Sequence, residues 1–323
     1  MHRRNLIALA AASAALFAPL SALAQAKYPA QAIKLIAPYA PGGTVDILSR
    51  TLADRIGRDL GQSVVVENRG GAGGTVGADV ASKAQPDGYT VLFGAVHHAI
   101  AQSVYPKLGY DIRELTPIAF LGRVNHAVIA NNALPAKTIA ELIELLKKNP
   151  DKYSYATPGA GTMQHLMTEY FMSQTGTKMA HIPYRGSAPA IVDVTAGSVH
   201  VMFETMPSAL QHIKAKNVKV MAVTSAQRSP HLPEVPTVME SGAPNYDATS
   251  WYGIFAPAKT PQHVVERLNL AINNAFKDKA FAEKWVALGA DVGGGTPEAL
   301  KKLTLDEVQR WSDVAKKANI SVQ

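Results

Sequence analysis

The feature of this sequence that most constrains its fold is a regular alternation of short apolar runs with segments of helical periodicity. Ile33–Ala37, 63–67 and 90–93 are apolar runs of strand length, whereas apolar residues recur at helical spacing across 45–60 and 74–83. Strands and helices that alternate in this way form parallel sheets covered by helices. We therefore predict an α/β fold.

The same alternation returns in the rest of the chain. Further strand-length runs lie at 115–121, 127–130, 153–156, 199–203, 218–223 and 250–256, with helical patterns between most of them. Thr138 and Glu141 form a capping box that opens one helix. Pro261 and Pro297 stand at the first positions of the last two predicted helices.

The length favours two domains, because one core rarely grows past roughly 250–300 residues. We place the first α/β domain at 26–122 plus 250–323 and the second at 123–249, since the helices after residue 250 cannot form a third core alone. The chain then crosses between the domains twice. Two crossings beside a cleft form a hinge, and hinge closure around a ligand is a capture device.

The N-terminus has the pattern of a secretory signal peptide. A basic head at 2–4 precedes an apolar run at 6–16 and small-residue cleavage patterns, which predicts a signal peptide at 1–24 cleaved after Ala24 or Ala26. The apolar run is shorter than the roughly 20 residues that a membrane-spanning helix needs. We therefore expect an exported protein.

The composition argues against several function classes. There is no cysteine, hence no disulfide framework or thiolate metal site, and no His-Glu-x-x-His or Gly-x-Ser-x-Gly motif is present. The formal net charge of +7 is spread along the chain without the concentrated basic patch that nucleic-acid binding requires. We expect no metal, no cofactor, no nucleic-acid partner and no enzymatic activity.

The stretch "APYAPGGTVD" at 37–46 joins a predicted strand to a predicted helix. The amides of Gly43, Thr44 and Val45 would be free donors at the helix N-terminus, where hydrogen bonding and the helix dipole attract anions. Asp46 lies in the first helical turn, where it either caps the helix or accepts a donor from a ligand. A tight turn without ligand contact is the alternative for the whole stretch.

A matching stretch, "YATPGAGT" at 155–162, joins a strand to a helix in the second predicted domain. Gly159 and Gly161 leave the backbone bare, and Thr157 and Thr162 offer hydroxyl groups. Ligands of open α/β sheets bind at the carboxyl ends of the strands. Two such ends that face each other across a cleft would hold the two ends of a diacid.

Other candidate residues allow two interpretations each. The glycines at 70–77 lack the usual dinucleotide-binding spacing, so we expect a tight turn with close helix packing. His97 reaches the cleft or faces solvent from a loop, and Arg185 pairs with a ligand carboxylate or lies on the surface. Ser187 is expected to be a helix N-cap. The pair at 251–252 lines the cleft or belongs to the core.

Six segments carry a family resemblance: "YPAQAIKLIAPYAPGGTVDILSR" (28–50), "VVVENRGGAGGTVGADVASKAQPDGYTVLFG" (64–94), "YATPGAGTMQHL" (155–166), "HIPYRGSAPAIVDVTAGSV" (181–199), "VPTVMESGAP" (235–244) and "WYGIFAPAKTP" (251–261). In these the sequence resembles the Bug-type extracytoplasmic solute receptors of tripartite tricarboxylate transporters. One departure is Gly70, where the family usually has proline, and it affects only the stiffness of a turn.

The resemblance implies a type II periplasmic-binding-protein fold, with two α/β domains around a ligand cleft. It also implies a periplasmic receptor that clamps a small organic anion, a mono-, di- or aromatic carboxylate, between the two glycine loops, partly through ordered waters. The receptor would deliver the anion to a membrane permease of two subunits that carries no ATPase, and we expect it to act as a monomer. A sensory receptor without a transporter and an exported enzyme that uses the same cleft are the alternatives.

From the loops and the resemblance together we predict a set of ligand-binding residues. The loop residues are Tyr39, Gly42, Gly43, Asp46, Thr157, Gly159, Ala160, Gly161 and Thr162, and the further specificity residues are His97, Arg185 and Glu204. Glu204 follows the strand-length run at 199–203, where an acid would bind an amine or hydroxyl group, repel a second carboxylate, or simply be solvated.

Overall fold

The computed structural model describes residues 28–244, 246 and 248–318. The predicted signal peptide at 1–24 and its cleavage sites lie outside the described residues. Within the described part of the chain, no helix has the length and apolar character needed to cross a membrane.

The described residues form ten strands and ten α-helices. The strands are β1 (Ile33–Ala37), β2 (Val64–Asn68), β3 (Thr90–Ala95), β4 (Thr116–Val124), β5 (His126–Ala130), β6 (Ser154–Thr157), β7 (Ala180–Pro183), β8 (Val201–Thr205), β9 (Lys219–Val223) and β10 (Ser250–Ala256). The helices are α1 (Thr44–Leu60), α2 (Thr75–Ser82), α3 (Val96–Val104), α4 (Ile139–Lys148), α5 (Met163–Thr175), α6 (Ser187–Ala196), α7 (Met206–Lys214), α8 (Gln262–Lys277), α9 (Lys279–Ala287) and α10 (Pro297–Ala318).

The strands form two mixed sheets of five strands. The first has the order β2-β1-β3-β10-β4, and the second has the order β7-β6-β8-β5-β9. Parallel pairs join β1 to β2 and β3, and β6 to β7 and β8, whereas β10 and β5 run antiparallel to their neighbours. The two orders correspond strand for strand, because the antiparallel strand in each sheet is the one that follows a crossing from the other sheet.

Helices cover both faces of each sheet, as the apolar periodicity predicts. One apolar cluster packs α1, α8 and α9 against the first sheet through Leu48, Leu268 and Trp285. A second cluster fills the other face of the first sheet and continues into one face of the second sheet. A third lies between the second sheet and helices α6 and α7. The α/β prediction is therefore confirmed.

The two crossings between the sheets lie side by side. The chain leaves the first sheet at Asn125, between β4 and β5, and returns to it at the start of β10. Thr224 joins the crossings, since its amide donates to the carbonyl of His126 over 3.0 Å and its hydroxyl donates to the carbonyl of Ala248 over 2.7 Å. The first sheet thus draws its strands from 33–124 and 250–256, and the second from 126–223.

Two helices were not predicted. Helix α3 follows β3 without a loop. Its N-cap is Ala95, whose side chain cannot cap a helix, and the Ala95 amide donates to Nδ1 of His98. Helix α9 begins directly after α8, where the Asp278 side chain accepts from the amides of Ala280 and Phe281. The sequence has no loop segment between the two elements at either junction, so sequence reasoning did not separate them.

Candidate functional site

A narrow cavity lies between the two sheets. Its wall is formed by Tyr39, Gly43, Thr44, Val45, Ala95, His97, Pro158, Met163, Gln164, Ser187, Thr205, Ser250 and Tyr252. The two sheets contribute through the segments that follow their strands, which is where ligands of open α/β sheets bind.

Five helices begin at this wall. Helices α1 and α3 belong to the first sheet, and α5, α6 and α7 belong to the second; each has a residue of its N-terminal turn or its N-cap among the lining residues. A helix N-terminus offers unpaired amides and a partial positive charge of about half an elementary charge. None of the lining residues is Lys or Arg. The wall therefore attracts an anion with backbone groups and dipoles rather than with charged side chains.

The loop that precedes α1 leads into a helix whose first-turn amides have no side-chain cap. The N-cap Gly43 has an extended backbone and no side chain caps the helix, so the amides of its first turn face the cavity unpaired by a cap. Tyr39 also lies in the wall, and its hydroxyl donates to the carbonyl of Gly73 over 2.9 Å. Gly42 is exposed and lies outside the wall.

Asp46 lies behind this loop rather than in the wall. Its carboxylate accepts from the Gly42 amide and from the Asn68 side chain, each over 3.0 Å, and pairs with Arg50 over 2.8 Å. Burial alone would raise the pKa of Asp46, but the hydrogen bonds from Arg50, Gly42 and Asn68 hold the pKa below its ordinary value. Asp46 therefore shapes the loop that presents the amides.

The second glycine loop folds back on itself. The Gly159 amide donates to the Thr157 hydroxyl over 3.2 Å, the Gly161 amide donates to Nδ1 of His165 over 3.2 Å, and the Thr162 amide donates to the Gly159 carbonyl over 3.4 Å. Thr162 caps α5 through the amide of His165. These amides are used inside the loop, and Pro158, Met163 and Gln164 form the cavity wall in their place.

Residues of the second loop instead touch the first lobe, which we define as the first sheet and its helices. The Tyr105 hydroxyl donates to the Ala160 carbonyl over 2.7 Å, and Gly73 and Gly159 leave no room between their backbones for a Cβ atom. Elsewhere along the cleft, the hydroxyls of Thr44 and Thr205 lie 2.6 Å apart. The two lobes are therefore in contact around the cavity.

Glu204 is fully buried directly behind the wall. Its Oε1 accepts from the Ser187 hydroxyl over 2.9 Å and from the Thr205 amide over 2.9 Å, while Oε2 has no hydrogen-bond partner among the described residues. Burial raises the pKa of Glu204 to about 7, against the lowering effect of the Thr205 and Ser187 hydrogen bonds. The carboxyl group therefore changes charge near neutral pH, one residue away from a cavity that favours anions.

Arg185 and Ser187 differ from what their sequence context suggested. Arg185 is exposed, and its contribution at the cleft is its carbonyl, which accepts from the Ala40 amide over 3.2 Å. The N-cap prediction for Ser187 is wrong: Gly186 is the N-cap of α6, and the Ser187 side chain is turned towards Glu204 instead. A hydrogen bond between a hydroxyl on one element and a carboxylate on another has no signature in the local sequence.

His97 lies in the first turn of α3, 5% exposed, so it is not a solvent-facing loop residue. Its ring packs edge-on against Tyr39, with ring centroids 5.0 Å apart. Of the pair at 251–252, Tyr252 lines the cavity, whereas Trp251 is core and donates to Glu307. Alternation along β10 sends the two side chains to opposite faces of the sheet.

Several wall residues were not predicted. They are Ala95, Pro158, Met163, Gln164, Thr205 and Ser250. Thr205 carried a usable signal, because it is a hydroxyl residue between a strand and a proline-containing helix start. Among the described residues, no group of three or more His, Asp or Glu side chains could hold a metal ion.

Comparison with known proteins points to one family. The family described as "Tripartite tricarboxylate transporter family receptor" matches residues 48–320. "Protein BugT" of Bordetella pertussis is 37% identical over 315 residues, which cover 97% of this chain and 96% of that protein.

Two solved structures of carboxylate complexes have the same fold. "R. palustris Rpa4515 with adipate" is 34% identical with a TM-score of 0.88, covering 91% of this chain and 99% of that one. "MatC (Rpa3494) from Rhodopseudomonas palustris with bound malate" is 29% identical with a TM-score of 0.85, covering 89% of this chain and 99% of that one. The similarity confirms the type II periplasmic-binding-protein fold with its two α/β units around a cleft. The chain belongs to the tripartite tricarboxylate transporter receptor family, the Bug-type solute receptors.

Proposed function

We propose that this protein is a periplasmic receptor that captures a small organic carboxylate in the cavity between its lobes and delivers it, chemically unchanged, to a membrane permease of two subunits. The observation that carries the proposal is the convergence of five helix N-termini on a cavity whose wall has no Lys or Arg. Such a wall matches a carboxylate in charge and in hydrogen-bond donors.

The polarity of the cavity favours a small polar acid. The space in it that is open to water-sized groups is about 20 Å³, so an acid enters when the lobes separate. Hydroxyl groups from Thr44, Ser187, Thr205 and Ser250 add polar contacts from both lobes. The relatives solved with adipate and with malate are dicarboxylate complexes, so we propose a small dicarboxylic acid as the ligand class.

The ligand-binding residues we propose are those of the wall together with those that shape it. Tyr39, Gly43 and His97 lie in the wall itself. The other proposed residues hold the two loops and set the charge behind them. They are Gly42, Asp46, Thr157, Gly159, Ala160, Gly161, Thr162, Arg185 and Glu204. We further infer that the mature receptor is an exported monomer with one lobe at 26–124 plus 250–323 and the other at 125–249; the boundary lies later than the expected residue 122 because Arg123 and Val124 pair with β10 in the first sheet.

Calorimetry with adipate, malate and the uncharged diamide adipamide tests the proposal. We expect one-to-one binding of at least one of the acids, and no binding of adipamide, which has the shape of adipate without its charge. At a hundredfold excess over the dissociation constant, the bound acid stabilises the fold by about 2.7 kcal/mol. Binding of adipamide as tight as that of adipate would contradict the anion site, and consumption of the acid, followed by NMR, would contradict a receptor.

A further inference from the structure

Two adjacent histidines form a buried hydrogen-bonded pair at the start of α3. His98 is fully buried and His97 is 5% exposed. Their Nε2 atoms lie 3.1 Å apart, and the ring centroids lie 3.9 Å apart. Two nitrogens at this distance need one proton between them, because two N–H groups that face each other repel and two bare lone pairs form no bond.

The backbone determines which nitrogen carries that proton. The Ala95 amide donates to Nδ1 of His98 over 3.0 Å, so Nδ1 of His98 is an acceptor without a proton. A neutral imidazole has one protonated nitrogen, hence the proton of His98 is on Nε2. That Nε2–H faces Nε2 of His97, and the Gly74 backbone also hydrogen-bonds the His98 ring; a proton on Nε2 of His97 would repel it, so the proton of His97 is on Nδ1.

Both rings are held neutral, as this assignment requires. Burial lowers the pKa of His98 to about 4, although hydrogen bonds with the backbone of Gly74 and of Ala95 raise it. Burial, reinforced by the neighbouring His98, lowers the pKa of His97 well below its ordinary value. A second proton on either ring would also remove an acceptor on which the pair depends.

The remaining nitrogen of the pair, Nδ1 of His97, belongs to a ring that lines the cavity. The Nε2 and Cδ2 atoms of His97 lie against Gly74, where a Cβ atom would come within 2.7 Å of Nε2, and Nε2 also faces His98. Nδ1 is the remaining polar atom of a ring that lines the cavity, and no hydrogen-bond partner of it is found among the described residues.

We propose that His98 is a positioning residue that locks His97 in the Nδ1–H tautomer, so that His97 presents a one-way hydrogen-bond donor to an anionic oxygen of the bound solute. The inference rests on the proposed function and deepens it. A donor that cannot reverse its direction favours a carboxylate oxygen at this subsite and rejects an ammonium group, which brings only donors.

NMR of the protein with 15N-labelled histidine tests the tautomer directly, with signals assigned from the single variants H97Q and H98Q. We expect protonated Nδ1 on His97 and protonated Nε2 on His98 in the unliganded protein. A proton on Nε2 of His97 would overturn the proposal, whatever the ligand.

Two substitutions of His98 separate positioning from packing. His98→Gln keeps a donor near the Nε2 position, whereas His98→Asn keeps only an acceptor near the Nδ1 position. With adipate as the probe, we expect affinity within about twofold of the unaltered protein for H98Q and a loss of about tenfold for H98N, the order of one hydrogen bond to a charged group. The H98N loss should accompany a shift of the His97 signals towards mixed tautomers.

The outcomes distinguish this inference from the proposed function. Equal adipate affinity in H98N and the unaltered protein would overturn the positioning role. If H98N does not fold, the tautomer in the unaltered protein decides. Failure of the unaltered protein to bind any carboxylate would contradict the proposed function, whereas an Nε2–H tautomer of His97 would contradict the positioning role alone.

Discussion

At the scale of single residues, the site depends on carboxylates that do not touch the cavity. Asp46 stays charged because Arg50, Gly42 and Asn68 surround it with donors, whereas the pKa of Glu204 rises to about 7 through burial. The two acids therefore behave differently, although Asp46 lies in the first turn of α1 and Glu204 lies at the end of β8, both next to a strand-to-helix junction. Asp46 maintains the shape of the loop before α1, and Glu204 changes the charge behind the cavity wall near neutral pH.

The pH dependence of folding reports the state of Glu204. Its pKa is raised from 4.5 to about 7 in the folded protein, so the folded state holds a proton that the unfolded chain releases between these values. The contribution of this proton to the free energy of unfolding is fully present below pH 4.5 and is lost as the pH rises through 7. We expect the stability of Glu204→Gln relative to the unaltered protein to increase by about 3 kcal/mol from pH 4.5 to pH 8.

Urea denaturation of both proteins at several pH values measures this difference. The exposed Glu144→Gln provides the matched control and should follow the unaltered protein. The same charge change should weaken adipate binding as pH rises from 6 to 8 in the unaltered protein and leave E204Q unaffected. Parallel stability profiles of the unaltered protein and E204Q would contradict the buried, titrating carboxyl.

Removal of the Asp46 carboxylate should destabilise the loop that precedes α1. Asp46→Ala leaves the Gly42 amide without its acceptor and removes one of the two acceptors of the Asn68 amide nitrogen, and we expect a loss of about 1–3 kcal/mol with weaker adipate binding. Asp54→Ala in the same helix removes only an exposed pair with Arg58 and should cost less than about 0.5 kcal/mol. Equal losses in the two variants, measured by urea denaturation, would contradict the role assigned to Asp46.

At the scale of secondary-structure elements, the loops between strands and helices divide two tasks. The loop before α1 leaves its amides for the cavity, because no side chain caps that helix. The loop before α5 uses its amides internally, and the Ala160 carbonyl contacts Tyr105 of the first lobe. We infer that one loop supplies donors while the other closes the cleft.

A methyl group at Gly73 should prevent that closure. Gly73 has φ of 61°, and a Cβ atom there would overlap the carbonyl oxygen of Ala160 in the other lobe. Gly61 has φ of 69° and no atom within 4 Å of such a Cβ, so it is the matched control for backbone strain. We expect both alanine variants to lose about 1–2 kcal/mol of stability from the left-handed backbone, but only Gly73→Ala to lose adipate affinity, by at least tenfold.

Calorimetry of the two variants side by side gives the answer. Unchanged affinity in Gly73→Ala would mean that the contact between Gly73 and Ala160 is not part of the ligand-bound arrangement. A comparable loss of affinity in Gly61→Ala would mean that backbone strain, rather than the contact between lobes, explains the result.

At the scale of the whole molecule, the two sheets are joined by crossings that lie side by side and are connected through Thr224. A narrow double connection lets the lobes rotate about one axis while each sheet, with helices on both faces, stays intact. The lobes touch through the hydroxyls of Thr44 and Thr205 and through the contacts around Ala160. Ligand binding that favours this arrangement shifts the population towards it.

Small-angle X-ray scattering should detect the shift. A compact chain of this length has a radius of gyration of about 20 Å, and we expect a larger value without ligand that decreases when adipate is added. Gly73→Ala should keep the larger value at every adipate concentration, whereas Gly61→Ala should behave like the unaltered protein. An unchanged radius in the unaltered protein at saturating adipate would contradict hinge closure.

The sequence by itself determined the α/β class, the two units, the double crossing and the uncapped glycine loop before α1, because periodicity and capping are properties of neighbouring residues. Even so, it indicated neither α3 nor α9, since both begin without a loop. The tertiary structure alone decided that the amides of Gly159 and Gly161 are used internally, that Glu204 lies buried behind Ser187 and Thr205, and that His98 faces His97. The physical reason is that hydrogen-bond partners, burial and tautomers depend on how groups are brought together in space, often far apart along the chain, and no local pattern records them.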